Sequence, residues 1–69
     1  MFLVEAYYKG YMCGYLSLGY FSKPDKWGHT VDKDGIKHCA KFNSLSEAQA
    51  ASESYLSERL SFKTKIVAV

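Results

Sequence analysis

The side chains with reactive chemistry are few: Cys13, Cys39, His29 and His38. Zinc takes sulfur and nitrogen donors of this kind, but the spacing is wrong for it. There is no CxxC and no HxxxH pair. His38 and Cys39 are adjacent, so on a strand they point to opposite faces. A cysteine beside a histidine can act as a nucleophile, yet no third group stands where it would orient such a pair. A chain of 69 residues also leaves little room for a pocket beside its core. The reading is a non-enzyme with no catalytic residue, no metal and no cofactor. Two cysteines make no disulfide framework. Both are expected as free thiols in a cytoplasmic, reducing setting.

Residue types that bind are more abundant than residue types that react. The formal net charge is only +2, so the distribution of charge matters more than its sum. Lys37 and Lys41 share the outward face of one expected strand, and Lys63 and Lys65 that of another. Glu47 and Glu58 fall on the outer side of an expected helix. The sheet side is therefore read as basic and the helix side as acidic. Six tyrosines and Trp27 accompany the lysines. Tyrosine and tryptophan often dominate interfaces, which makes Tyr7, Tyr11, Tyr15, Tyr20 and Trp27 the expected anchors, with Lys37, Lys41, Lys63 and Lys65 around them. The same residues have plainer uses. Aromatic side chains fill a small core, and outward lysines solvate a sheet and discourage edge-to-edge pairing.

Three functions follow from these types. The first is a protein-binding module working through an aromatic and basic surface. The second is a small nucleic-acid-binding protein that pairs lysines with phosphates and stacks bases on tyrosines. The third is a small structural or regulatory subunit that dimerises through an edge strand.

The elements that must position these residues can be read from period and punctuation. Residues 10–21, GYMCGYLSLGYF, hold Gly10 and Gly14 in a GxxxG. In a membrane helix that spacing permits close helix contact. The apolar run is too short to cross a bilayer, which takes roughly 18 residues, and no membrane association is expected. Glu5 interrupts the apolar start, so no signal peptide is read there. Residues 2–8 are rich in aromatic and β-branched types and are expected as a strand. Lys9-Gly10 is a two-residue turn, and residues 11–21 return as the second strand. That turn sets Tyr8 opposite Tyr11, Ala6 opposite Cys13 and Val4 opposite Tyr15, on one face with Phe2. Leu3, Glu5, Tyr7, Met12 and Leu16 take the other face, with Gly14 opposite Glu5. Gly14 and Gly19 are expected to mark a bulge, a bend or a close backbone approach.

Residues 22–26, around Pro24, are expected as a loop, and residues 27–31 as a short third strand. Residues 32–35 read as a hairpin turn. Residues 36–42 alternate as a fourth strand, with Ile36, His38, Ala40 and Phe42 on one face. The period then changes. Ser44 and Glu47 form a capping box. The helix that follows carries Leu45, Ala48, Ser52, Tyr55, Leu56 and Arg59 on its inner side and ends near Arg59. Residues 62–68 close the chain as a strand, with Phe62, Thr64 and Ile66 inward and Lys63, Lys65 and Val67 outward. The expected fold is one α+β domain over residues 1–69. It is an antiparallel β-meander of four to five strands in the order β-β-β-β-α-β, with one helix packed on one face.

The second half, AKFNSLSEAQAASESYLSERLSFKTKIVAV, resembles a phrase found in very small phage-encoded host-takeover proteins. There a strand ends in Phe, a Ser-x-x-Glu-Ala turn opens a helix, and a basic strand follows. Some anti-CRISPR proteins and the small RNA-polymerase inhibitors of coliphages are of this kind. The resemblance covers residues 40–69. It implies a phage or mobile-element inhibitor that binds a host or defence protein stoichiometrically in the host cytoplasm. It transfers no site residues.

Overall fold

The computed structural model describes residues 1–20, 23–30 and 39–69. Their elements are β1 (Phe2–Tyr8), β2 (Tyr11–Tyr20), β3 (Lys23–His29), α1 (Leu45–Ser57) and β4 (Phe62–Ala68). The strands form one antiparallel sheet in the order β3-β2-β1-β4, with α1 packed on one face. β1 to β3 meander, and β4 returns beside β1 after the helix. This is the α+β architecture expected. The turn at 32–35, the residues 36–38 and the position 21 lie outside the described residues. In the described part of the expected fourth strand, Phe42 makes an isolated bridge to Phe2.

The β1–β2 turn has φ of 51° at Lys9 and 85° at Gly10. A two-residue turn with both central residues in the left-handed region matches the twist of its strands. Tyr8 pairs with Tyr11 and Tyr7 with Met12, and then the register slips: Ala6 pairs with Gly14 and Glu5 with Tyr15. Cys13 is the extra residue of a β-bulge. The expected pairs Ala6–Cys13, Val4–Tyr15 and Glu5–Gly14 are corrected accordingly. The slip also moves side chains between faces. Leu16 joins Val4 and Ala6 in the core instead of Leu3 on the far side, and Tyr15 takes the far side beside Glu5. The cause sits at Thr30. Its Oγ1 accepts from the Tyr15 N–H at 3.0 Å, and its own N–H donates to the Tyr15 carbonyl at 2.8 Å. A Cβ on Gly14 would run into the Thr30 carbonyl.

Beyond the bulge β2 leaves β1 and pairs with β3, through Leu16–His29, Ser17–Gly28, Leu18–Trp27 and Tyr20–Lys23. The opening against β1 is taken by the segment before the helix. Ala40 donates to the Leu16 carbonyl at 2.9 Å, and Phe2 and Phe42 exchange bonds of 2.8 and 2.9 Å. β3 begins at Lys23, so the expected loop over 22–26 is mostly strand. Among the described residues β3 lies at the edge of the sheet, where a proline such as Pro24 is tolerated.

Ser44 caps α1, accepting from the Glu47 N–H at 3.2 Å. Glu47 reaches back to the Asn43 N–H at 3.2 Å, one residue earlier than the usual reciprocal bond. Ser44→Ala should therefore lower stability by about 0.5–2 kcal/mol. A thermal melt matching the parent would mean that the hydroxyl does not hold the helix start. The buried stripe of α1 is Ala48, Ala51, Ser52 and Tyr55. Leu45, expected inward, is at the helix start and stays 47% exposed. The small residues let the helix approach the sheet closely, and Ser52 Oγ meets Thr64 Oγ1 at 2.5 Å. The core joins Val4, Ala6, Leu16, Phe42, Ala48, Ala51 and Tyr55, with Phe62 and Ile66 of β4 against it.

Candidate partner-binding surface

The helix covers one face of the sheet, and alternation along the strands sorts what remains on the other. On β1 these residues are Leu3, Glu5 and Tyr7; on β4 they are Lys63, Lys65 and Val67. β2 contributes Met12 and, because of the bulge, Tyr15. Cross-strand pairing arranges them in two rows. Met12, Tyr7 and Lys63 make one, and Tyr15, Glu5 and Lys65 make the other. Leu3 is covered, Tyr7, Met12 and Tyr15 are half-buried, and both lysines are exposed.

The rows are tied together by Tyr7, whose hydroxyl donates to Glu5 Oε1 at 2.7 Å. That hydrogen bond, with burial and the negative charge of Glu5 adding to it, raises the phenol above its ordinary value. The ring is thereby fixed as a neutral donor with its body half open to solvent. A cleft of about 500 Å³ continues the first row at the hairpin end, lined by Tyr7, Lys9, Gly10, Ser61 and Lys63. Lys9 holds its ammonium 5.4 Å from the centre of the Tyr8 ring. The helix side is acidic in contrast. Glu47, Glu53 and Glu58 are exposed there, with Glu58 pairing Lys26 at 3.3 Å.

The expected anchors separate under this geometry. Tyr7, Tyr15, Lys63 and Lys65 come together. Tyr11 is 78% exposed at the hairpin end, opposite Tyr8. Trp27 does not join them. Half-buried, it packs against the helix-side core with its ring centre 5.6 Å from that of Phe42. Tyr20 lies on the half of β2 that pairs with β3. Lys41 is exposed beside Phe42, which bridges Phe2; Lys63 pairs with Tyr7, at the other end of β1. Lys37 lies outside the described residues. Glu5, Lys9 and Met12 were not singled out from the sequence. Alternation along β1 places Glu5 beside Tyr7, and that pattern was the available signal.

The reactive side chains are dispersed. Cys39 is buried and Cys13 half-buried, neither in a disulfide, while His38 is outside the described residues. Among the described residues no three of His, Cys, Asp and Glu gather as metal ligands would. His29 Nδ1 shares a hydrogen bond of 2.9 Å with the Tyr55 hydroxyl. Burial, with the nearby Arg59 charge, lowers the His29 pKa from its ordinary 6.5. The unfolded chain therefore binds this proton more readily than the folded one. The stabilisation is full above the unfolded value and is lost as the pH falls through the folded one. Melting temperature should drop between about pH 8 and about pH 5, and the drop should be smaller in His29→Gln. An equal drop in both proteins would remove His29 as its source.

Comparison of the chain with family models, with curated proteins and with solved structures finds no match. The molecule stands as a small α+β protein with a helix-backed sheet and an aromatic, basic face. Among the described residues no helix is long and apolar enough to cross a membrane.

Proposed function

We propose that this chain is a non-enzymatic protein-binding module whose working surface is the sheet face turned away from the helix. The observation that supports it is the gathering of Tyr7, Tyr15 and Met12 with Lys63 and Lys65 on that face. Half-exposed aromatic anchors inside a charged rim are the composition that interfaces favour. Glu5 favours a protein over a nucleic acid as the partner. Its carboxylate stands in the second row, bonded to Tyr7 of the first, where it would repel a phosphate backbone but can pair with a partner's cation. Together with the phage-like phrase at residues 40–69, this supports the reading of the chain as a phage or mobile-element inhibitor. In that role it holds a host or defence protein stoichiometrically in the host cytoplasm.

The test compares Lys63→Glu/Lys65→Glu with Glu53→Lys, each first shown to fold. Both are used to capture partner from lysate of the native host, and association is then timed on the purified partner. The lysine reversal should slow association by about tenfold or more, and the helix variant should leave it near the parent. A steep, log-linear loss of binding with salt would identify nucleic acid instead. Loss in the helix variant alone would place the working surface on the acidic side.

A further inference from the structure

β4 ends the sheet, and the direction of each of its main-chain groups can be assigned. Met1 donates to the Val69 carbonyl at 3.3 Å, and Val69 donates to the Met1 carbonyl at 2.8 Å. These two residues are therefore a reciprocally bonded pair. The unbroken register puts Leu3–Val67, Glu5–Lys65 and Tyr7–Lys63 in the same class. The N–H and C=O groups of Thr64, Ile66 and Ala68 consequently turn the other way, off the edge. The Phe62 N–H is already given to the Arg59 carbonyl at 3.2 Å, so the open row begins at Thr64. Among the described residues no strand lies beyond β4. Such a row is a template for another strand.

The flanking side chains select what can be added. A second copy pairing antiparallel about Thr64 would set Lys63 directly opposite Lys65 of its partner, twice. Like charges directly opposed destabilise a strand pair, so the edge discriminates against self-association in that register. We infer that β4 accepts an extended acidic segment of the partner protein as an added antiparallel strand. The inference rests on the binding-module reading above. Carboxylates at alternate residues of the segment stand opposite Lys63 and Lys65. Towards an added strand these are the non-hydrogen-bonded positions, where opposed Cα atoms approach to about 4.5 Å and side chains are closest. The intervening residues of the segment are apolar and extend the helix-side layer that Ile66 leaves half-covered. The Lys9–Lys63 cleft adds positive charge at the hairpin end of the edge.

The probe is an acetylated, amidated peptide of alternating valine and glutamate, Val-Glu-Val-Glu-Val-Glu-Val, titrated into the isotope-labelled full chain. Amide signals of Thr64, Ile66 and Ala68 should shift and gain protection from solvent exchange. A twin peptide with lysine in place of glutamate should bind at least about tenfold more weakly. With glutamates opposite the lysines, the valine amides face β4. N-methylating them should weaken binding by about tenfold or more, whereas N-methylating the glutamate amides should leave it nearly unchanged. The Lys63→Glu/Lys65→Glu protein, shown folded by its own spectrum, should prefer the lysine twin. Equal binding of the two N-methylated peptides, with shifts confined to Tyr7, Met12 and Tyr15, would overturn the edge while leaving the face as the binding surface. No response of the chain to the acidic peptide would also overturn it. Neither result touches the partner-capture comparison, on which the binding-module reading stands or falls separately.

Discussion

Gly14→Ala should remove most of the stability of the protein. The position has no space for a methyl group, since a Cβ there would lie against the Thr30 main chain and about 2.5 Å from Thr30 Oγ1. The obstructing carbonyl cannot swing aside as a side chain would. Thr30 is fixed by two bonds to Tyr15, one from its N–H and one to its hydroxyl. Relief would require β2 and the end of β3 to separate at the point where β2 changes partner. Forced overpacking commonly costs about 1–3 kcal/mol, and a backbone clash belongs at the upper end. A domain this small has a margin of only about 3–5 kcal/mol, so most of it is consumed. Denaturant titration and amide spectra would show the loss. Gly10→Ala is the informative companion, because nothing within 4 Å would meet its methyl group. Only the turn's positive φ is strained there, at roughly 1–2 kcal/mol. If Gly14→Ala melted no lower than Gly10→Ala, the Thr30 contact would not be what shapes β2.

The same contact explains where sequence reasoning stopped. β1, the Lys9-Gly10 turn, the Ser44 cap and the in-out alternation of β4 are all local patterns, and each is found where its period or punctuation puts it. The bulge at Cys13 is different in kind. It depends on Thr30, whose separation from Tyr15 along the chain is 15, and no window around Cys13 contains that partner. Gly14 signalled a bulge or a close approach without saying which neighbour approached or which register followed. One residue of slip then reversed the faces of Tyr15 and Leu16. Trp27 lies apart from the other candidates for another reason. An aromatic residue that packs on a core and one that anchors an interface look alike in sequence, and only the Phe42 ring beside it places Trp27 on the helix side. Lys63 and Lys65 were legible because a charged residue at every second position of a strand has one low-energy side to face. That they share this side with Tyr7 and Tyr15 needed the sheet order and the bulge together.

Tyr55→Ala should be as damaging as the change at Gly14, for reasons of packing alone. Tyr55 is fully buried, at 0% exposure, and it is where helix and sheet meet. Its ring stands edge-on to Phe62 of β4, with centres 5.9 Å apart. The Arg59 guanidinium lies 4.3 Å from its ring centre and also donates to the Tyr55 carbonyl at 3.2 Å, near the helix end. Its hydroxyl is bonded to His29 of β3. Removing the side chain loses the Phe62, guanidinium–ring and His29 contacts together and leaves a cavity that the small residues Ala51 and Ser52 cannot refill. Large aromatic-to-alanine changes in a core cost about 3–5 kcal/mol, comparable to the whole margin of the domain. Tyr55→Phe separates the terms. It keeps the ring and removes only the hydroxyl, leaving His29 Nδ1 without its partner, for about 1–3 kcal/mol. At roughly 4–8 °C of melting temperature per kcal/mol for a domain of this size, the two variants are readily resolved. The phenylalanine form should still melt cooperatively, whereas the alanine form should show little native signal at any temperature. A cooperative melt of Tyr55→Ala close to the parent would mean that α1 is not docked on the sheet through this residue.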